Sequence, residues 1–123
     1  MVLKSTIFLF TFCYIGNYRY VCIVKEKNIV EIGKCLSNST RVKIMQWLKE
    51  PEKNFPANET SIPNHQGVCV GSIQEKAGLT QSTISTYLSN MERCGLLKMF
   101  RHGKWSYYSR NEKVVDAYCM AIK

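Results

Sequence analysis

Acidic side chains are scarce in this chain: 9 Asp and Glu stand against 17 Lys and Arg in 123 residues, a formal charge of +8. That balance favours a polyanionic partner, either nucleic acid or an anionic membrane surface. Proline is scarcer still, and all three (Pro51, Pro56, Pro63) fall in one stretch, so the rest of the chain is free to form regular structure. Internal repeats and low-complexity segments are absent. The apolar run near the N-terminus is broken by Gly16, Asn17 and Arg19, which excludes a helix of the roughly 20 apolar residues needed to span a bilayer. Six cysteines occur, at 13, 22, 35, 69, 94 and 119, yet no pair has metal-finger spacing. Helices with ordinary apolar stripes do not need disulfide staples, so reduced thiols are expected. No nucleophile–base pair, metal triad or phosphate loop can be assembled, and the glycines flanking Val68-Cys69-Val70 are too weak a signal for a nucleotide site. The chain does not read as an enzyme.

Residues 1–24 carry one early lysine and an apolar run without a small-x-small cleavage site. They read as an N-terminal extension, either without function or from an over-long translation start; the rival is a segment that directs export or membrane attachment. Two sequons, Asn38-Ser39-Thr40 and Asn58-Glu59-Thr60, would matter only in a eukaryotic secretory route. A single domain is expected over 25–123.

Within that domain, Ile29, Ile32 and Leu36 recur at helical spacing. Ser39 is the expected N-cap of a second helix with Ile44, Met45 and Leu48 inside, ended by Pro51. Residues 51–67 read as a proline-containing loop of unusual length. Val68-Cys69-Val70 leads, extended, into a third helix with Val70, Ile73 and Ala77 inside. Gly78 permits a sharp turn, and Thr80 caps a fourth helix whose inner stripe is Ile84, Leu88 and Met91. Gly95 closes it. A strand begins at Leu96-Leu97, His102-Gly103 forms a two-residue hairpin turn, and Trp105, Tyr107 and Tyr108 return. A last helix from about Asn111 carries Val114, Val115, Tyr118, Cys119 and Ile122 on one side.

The unit from 73 to 110 carries the functional signal. With its stripe turned inward, the fourth helix presents Gln81, Ser82, Ser85, Thr86 and Ser89 outward, with Thr83 near the edge. Short uncharged donors and acceptors can approach base edges or phosphates at small desolvation cost. Gln81 suits a bidentate contact to adenine, and the helix N-terminus suits a phosphate. Arg101, His102 and Lys104 surround the hairpin tip, where they can lie along a minor groove or flanking phosphates. Between Val68 and Arg110, six basic residues face two acidic ones. Trp105, Tyr107 and Tyr108 read as sheet packing rather than stacking platforms.

In order, Cys35–Leu48, Gly67–Leu97 and Arg101–Glu112 resemble the ArsR/SmtB family of bacterial winged-helix repressors, over about residues 26–123. The Gln81-Ser82-Thr83-x-Ser85 core, the downstream Gly95-Leu96-Leu97 and the basic wing carry the resemblance. It implies a mostly helical winged helix-turn-helix fold (α-α-α-α-β-β-α) and a cytoplasmic bacterial homodimer paired through its first and last helices. Without stable membrane association, the dimer would bind a palindrome in double-stranded promoter DNA and be released by an effector. Agreeing with this, the apolar faces of the first and last helices have no evident partner in so small a core. A winged-helix module for protein contact without DNA binding is the alternative.

The effector is less legible. Founding members carry a paired-cysteine box at the start of the third helix, where this chain has Cys69 alone. The family's second metal site uses acidic and histidine ligands on the last helix; Asp116 is there, but no histidine. Cys119 lies where some relatives use a last-helix thiol, and Cys35 is expected nearby on the first helix. These thiols either answer oxidants, reactive sulfur or a soft metal or metalloid ion, or act as small buried hydrophobes. Cys94 reads as packing, and Cys69 as core or sensor remnant.

Overall fold

A computed structural model describes residues 26–123; the expectations for 1–24 lie outside them. The order is α1 (Glu26–Cys35), α2 (Ser39–Trp47), α3 (Pro51–Asn54), β1 (Val68–Cys69), α4 (Val70–Ala77), α5 (Gln81–Arg93), β2 (Leu97–His102), β3 (Trp105–Arg110) and α6 (Glu112–Ile122). The sheet runs β1-β3-β2 with both pairings antiparallel.

Helix termini follow local chemistry, with one correction. Asn38, not Ser39, caps α2: its side-chain oxygen accepts the Arg41 N–H at 3.1 Å, and Ser39 is the first helical residue. Asn and Ser serve equally well as caps, so adjacent candidates cannot be ranked from propensity. Thr80 caps α5 by accepting the Thr83 N–H at 3.3 Å, and Asn111 caps α6 through the Val114 N–H at 3.4 Å. At the end of α5, the Leu96 N–H reaches the Met91 carbonyl and the Gly95 N–H reaches that of Glu92, a Schellman closure.

Ile32, Ile44, Met45, Leu48, Ile73, Ile84, Leu88 and Met91 form one buried cluster, joined by Leu96, Leu97, Val68 and Tyr108. The stripes of α2, α4 and α5 therefore point where expected, whereas on α1 Ile32 and Leu36 join the core and Ile29 is only half-buried. The faces of α1 and α6 are less bare than anticipated, because Leu36, Val114, Val115 and Tyr118 pack against this core. Val30, Met120 and Ile122 stay exposed.

Three differences concern the sheet and its loop. Pro51 ends the previous turn but also opens α3, where the missing N–H of a first-turn proline is harmless. Val68-Cys69 is a true third strand, pairing with Tyr108 and Tyr107. The hairpin turn is Gly103-Lys104, since His102 still pairs with Trp105. Gly103 holds the left-handed backbone (φ 63°) that the first turn position requires, which shifts the turn by one residue.

The loop between α3 and β1 is braced by two asparagines. The Asn64 amide donates to the carbonyls of Phe55 and Pro56 at 3.3 and 3.0 Å, with a longer approach to Pro51. Asn58 donates to the Ile62 and Gly67 carbonyls, both at 2.9 Å, and accepts the Cys69 N–H at 3.2 Å. These bonds hold the loop over β3, where Thr60 Oγ1 meets the Tyr107 hydroxyl at 2.6 Å and Phe100 stacks on Tyr107. Gly67 passes so close that an added Cβ would lie 2.9 Å from Tyr107 Cβ and 3.0 Å from Phe100. Gly67→Ala is therefore expected to destabilise the fold by roughly 1–3 kcal/mol through overpacking. Thermal unfolding that matched the parent would show that the loop yields freely.

Candidate nucleic-acid interface

Helix α4, the turn at Gly78 and helix α5 form a helix-turn-helix. Gly78 adopts the left-handed conformation (φ 68°), and its N–H bonds back to the Gln74 carbonyl, so α4 ends abruptly. Leu79 and Ala77 pack against the core, and the buried stripe Ile84, Leu88, Met91 fixes the roll of α5. Its opposite face is forced outward.

Of the residues expected there, Gln81, Ser82, Ser85 and Thr86 are exposed and Thr83 is half-buried. Internal bonds grade their freedom. The Gln81 amide donates to Ser85 Oγ at 3.1 Å, which aligns the two along one helix edge and uses one of its two amide hydrogens. Thr86 donates back to the Ser82 carbonyl at 3.0 Å. The Thr83 hydroxyl accepts from Thr80 at 2.9 Å, which ties it to the cap.

The wing completes the surface. Arg101, His102 and Lys104 are all exposed on the hairpin. An open groove between α5 and the wing is lined by Gln81, Ser85, Ser89, Lys104 and Trp105. Four of the expected residues, Gln81, Ser85, Ser89 and Lys104, thus share one depression, and Arg101 and His102 lie along the exposed strand beside the turn.

Trp105 departs from expectation. Tyr107 and Tyr108 are buried as packing residues, whereas Trp105 is 41% exposed. The reason is the shortness of β1, which pairs with Tyr107 and Tyr108 and stops before reaching Trp105. Its ring instead meets Lys104, whose Nζ lies 5.4 Å from the centroid. The two-residue length of β1 has no sequence signal.

Charge is also distributed differently from the simple count. Lys76 points its Nζ at the Trp47 and Phe55 rings, 5.1 and 5.8 Å away. Arg110 forks onto Glu112 with two 2.9 Å bonds and donates to the Met45 carbonyl at 3.1 Å. Both serve the fold. Lys98, Arg101 and Lys104 on the wing are exposed.

The thiols do not group as anticipated. Cys35 is buried, Cys69 half-buried on β1 and Cys119 exposed on α6. Cys35 has Cys94 as its thiol partner. That hydrogen bond, with burial, pushes the Cys35 thiol upward. It also draws Cys94 down to about 7, helped by nearby backbone N–H groups and Arg41, and opposed by burial. Among the described residues no group of three or more His, Cys, Asp and Glu is placed to hold a metal ion. The side chains of both sequons, Asn38 and Asn58, are engaged in capping and loop bonds. No helix among the described residues is long and apolar enough to cross a membrane.

Residues 66–98, spanning α4, the turn and α5, match the family described as bacterial regulatory protein, arsR family. The chain is 46% identical over 86 residues to the uncharacterized HTH-type transcriptional regulator YbzH of Bacillus subtilis, covering 70% of this chain and 86% of that one. The chain belongs to the ArsR family. It is thus a helix-turn-helix transcriptional regulator rather than an enzyme. A Halobacterium salinarum protein provisionally named as an arsenical resistance operon repressor is 37% identical over 83 residues, 68% of this chain and 59% of its own. Solved ArsR-like folds align as well. The homodimeric winged helix-turn-helix DNA-binding domain of Mb0332 from Mycobacterium bovis matches with TM-score 0.55 and 23% identity over 78% of this chain and 76% of that one. Reduced HlyU from Vibrio cholerae matches with TM-score 0.53 and 19% identity, over 78% and 87%. At these identities they support the fold alone.

Proposed function

We propose that this ArsR-family regulator is a homodimeric repressor that binds a palindromic operator in promoter DNA and is released by an effector. The observation that carries the reading is the groove in which Gln81, Ser85 and Ser89 of α5 face Lys104 of the wing. With α5 in a major groove, these uncharged hydrogen-bonding groups would meet base edges and the cation would lie beside the phosphates. Arg101 and His102 extend the positive edge. The exposed Val30, Met120 and Ile122 on α1 and α6 support a second copy as partner, as in the homodimeric Mb0332 domain. Twofold pairing would set two α5 helices about one DNA turn apart.

The test is fluorescence anisotropy of the purified protein on DNA from upstream of its own gene, with scrambled competitor. Binding at least ~1000-fold tighter than to competitor is expected, the discrimination usual for regulators. Equal and weak binding to both DNAs would sink autorepression and turn attention to a protein partner.

A further inference from the structure

One pair of nucleophilic side chains plays no part in the DNA-binding reading. Cys35 is the last residue of α1, and Cys94 caps the C-terminus of α5, so two remote segments meet at their ends. The two thiols interact with each other, and the Cys94 Sγ–H donates to the Met91 carbonyl at 3.4 Å. They lie on an open cavity whose wall also includes Glu31, Lys34, Arg41 and Arg93, three cations to one anion. Cys94 is half-buried and Cys35 buried, so reagents in the cavity meet Cys94 first. Arg41 donates its Nε–H to the Cys35 carbonyl, which anchors a guanidinium beside both sulfurs. Lys34 and Glu31 pair with each other at 3.6 Å, which leaves Arg41 and Arg93 as the cavity's excess positive charge.

A thiol near cations, reachable from solvent and backed by a second thiol has the ingredients of a redox-reactive cysteine with its resolving partner. We propose that Cys35 and Cys94 are a peroxide-reactive dithiol that closes to an intrachain disulfide and so alters the grip on DNA. In the first step the Cys94 thiolate attacks a hydroperoxide oxygen. An S–O bond forms, the O–O bond breaks, and the departing alkoxide or hydroxide takes a proton from water. Cys94 is then a sulfenic acid. In the second step the Cys35 sulfur attacks the Cys94 sulfur. The S–S bond forms, the S–O bond breaks, and hydroxide leaves with the Cys35 proton as water. The two sulfurs together lose two electrons, and the peroxide gains them.

The mechanical consequence follows from bond length. Two neighbouring thiols must close to a covalent separation of about 2.0 Å, which releases Cys94 from the Met91 carbonyl and draws the end of α5 toward α1. Cys94 is followed directly by the Gly95-Leu96 closure and by β2, so the strain reaches both the recognition helix and the wing. The effect on DNA rests on the operator reading above, whereas the cross-link does not.

The experiment treats the reduced full-length chain with hydrogen peroxide and blocks remaining thiols. It reads intact mass, a non-reducing peptide map and operator anisotropy. Expected are a loss of two hydrogens per chain, a Cys35–Cys94 cross-linked peptide, and a change in DNA affinity of about tenfold, the usual size of such coupling. Dithiothreitol should reverse all three. Cys94→Ser and Cys35→Ser should each abolish the cross-link, and Cys119→Ser should retain it. A disulfide mapping to other cysteines, or Cys94 over-oxidised without a cross-link, would overturn the dithiol. A mapped cross-link with unchanged DNA affinity would overturn its regulatory part. If neither redox form binds any DNA, the operator reading fails, while the peptide map still decides the dithiol.

Discussion

Replacing Asn64 with alanine should lower folding stability by roughly 2–4 kcal/mol, because several carbonyls lose their donor in a place water cannot easily reach. Asn64 is only 4% exposed, and its amide serves the carbonyls of Phe55 and Pro56, which no regular element could satisfy. Its own carbonyl oxygen accepts the Asn58 N–H at 3.2 Å, so the substitution also loosens the second brace. Through Asn58 the disturbance reaches the Cys69 N–H and Gly67, and hence β1 beside Tyr107. Chemical denaturation of the parent and Asn64→Ala proteins gives the difference directly. Asn64→Asp should also destabilise, since it replaces a donor by an acceptor facing other acceptors. A shift within about 0.5 kcal/mol, the range of ordinary surface substitutions, would mean that water replaces the amide readily.

This loop marks the boundary between what the sequence discloses and what it conceals. Helical spacing exposed the inner faces because burial repeats at a fixed period, and Ile84, Leu88 and Met91 are indeed sealed. The prolines announced the irregular backbone over 55–67, though not the short helix α3 that Pro51 opens. What kept that backbone in place was not legible, because Asn58 and Asn64 act on carbonyls chosen by tertiary approach rather than by spacing. Asparagine in a loop predicts a turn equally well. The same limit hid β1: two residues carry no alternation, and only the presence of β3 beside them makes a strand.

At the candidate site, the outward face of α5 was legible because it is the complement of the buried stripe. Its internal ranking was not, since Thr83 differs from Ser82 only through its bond to Thr80. Trp105 was misjudged because alternation along β3 says which face a side chain takes, but not how far the neighbouring strand extends. Cys94, read as packing, does pack against the core, but its nearness to a second thiol was not legible. Its neighbour Cys35 is 59 positions away in sequence, and only the packing of α1 on α5 brings them together.

Gln81→Ala and Lys104→Ala should both weaken operator binding, but in separable ways, and this is the largest effect anticipated. In a homodimer on a palindrome each substitution is made twice. At roughly 1–3 kcal/mol for a good bidentate base contact, Gln81→Ala should reduce operator affinity by at least about thirtyfold. It should leave binding to scrambled DNA almost unchanged, since a base contact contributes little there. Lys104→Ala should weaken both DNAs alike. If each Lys104 neutralises one phosphate, the slope of log affinity against log salt should fall in magnitude by about 2 for the dimer. The bond from Gln81 to Ser85 at 3.1 Å presets the amide, so Ser85→Ala should reproduce a fraction of the Gln81 loss without changing the salt slope. Anisotropy titrations on operator and scrambled DNA at several salt concentrations separate these outcomes. Equal losses on both DNAs for Gln81→Ala would assign that side chain to the backbone rather than to a base. An unchanged salt slope for Lys104→Ala would leave its ammonium engaged with the Trp105 ring instead of a phosphate. The groove between α5 and the wing would then read DNA from one side only.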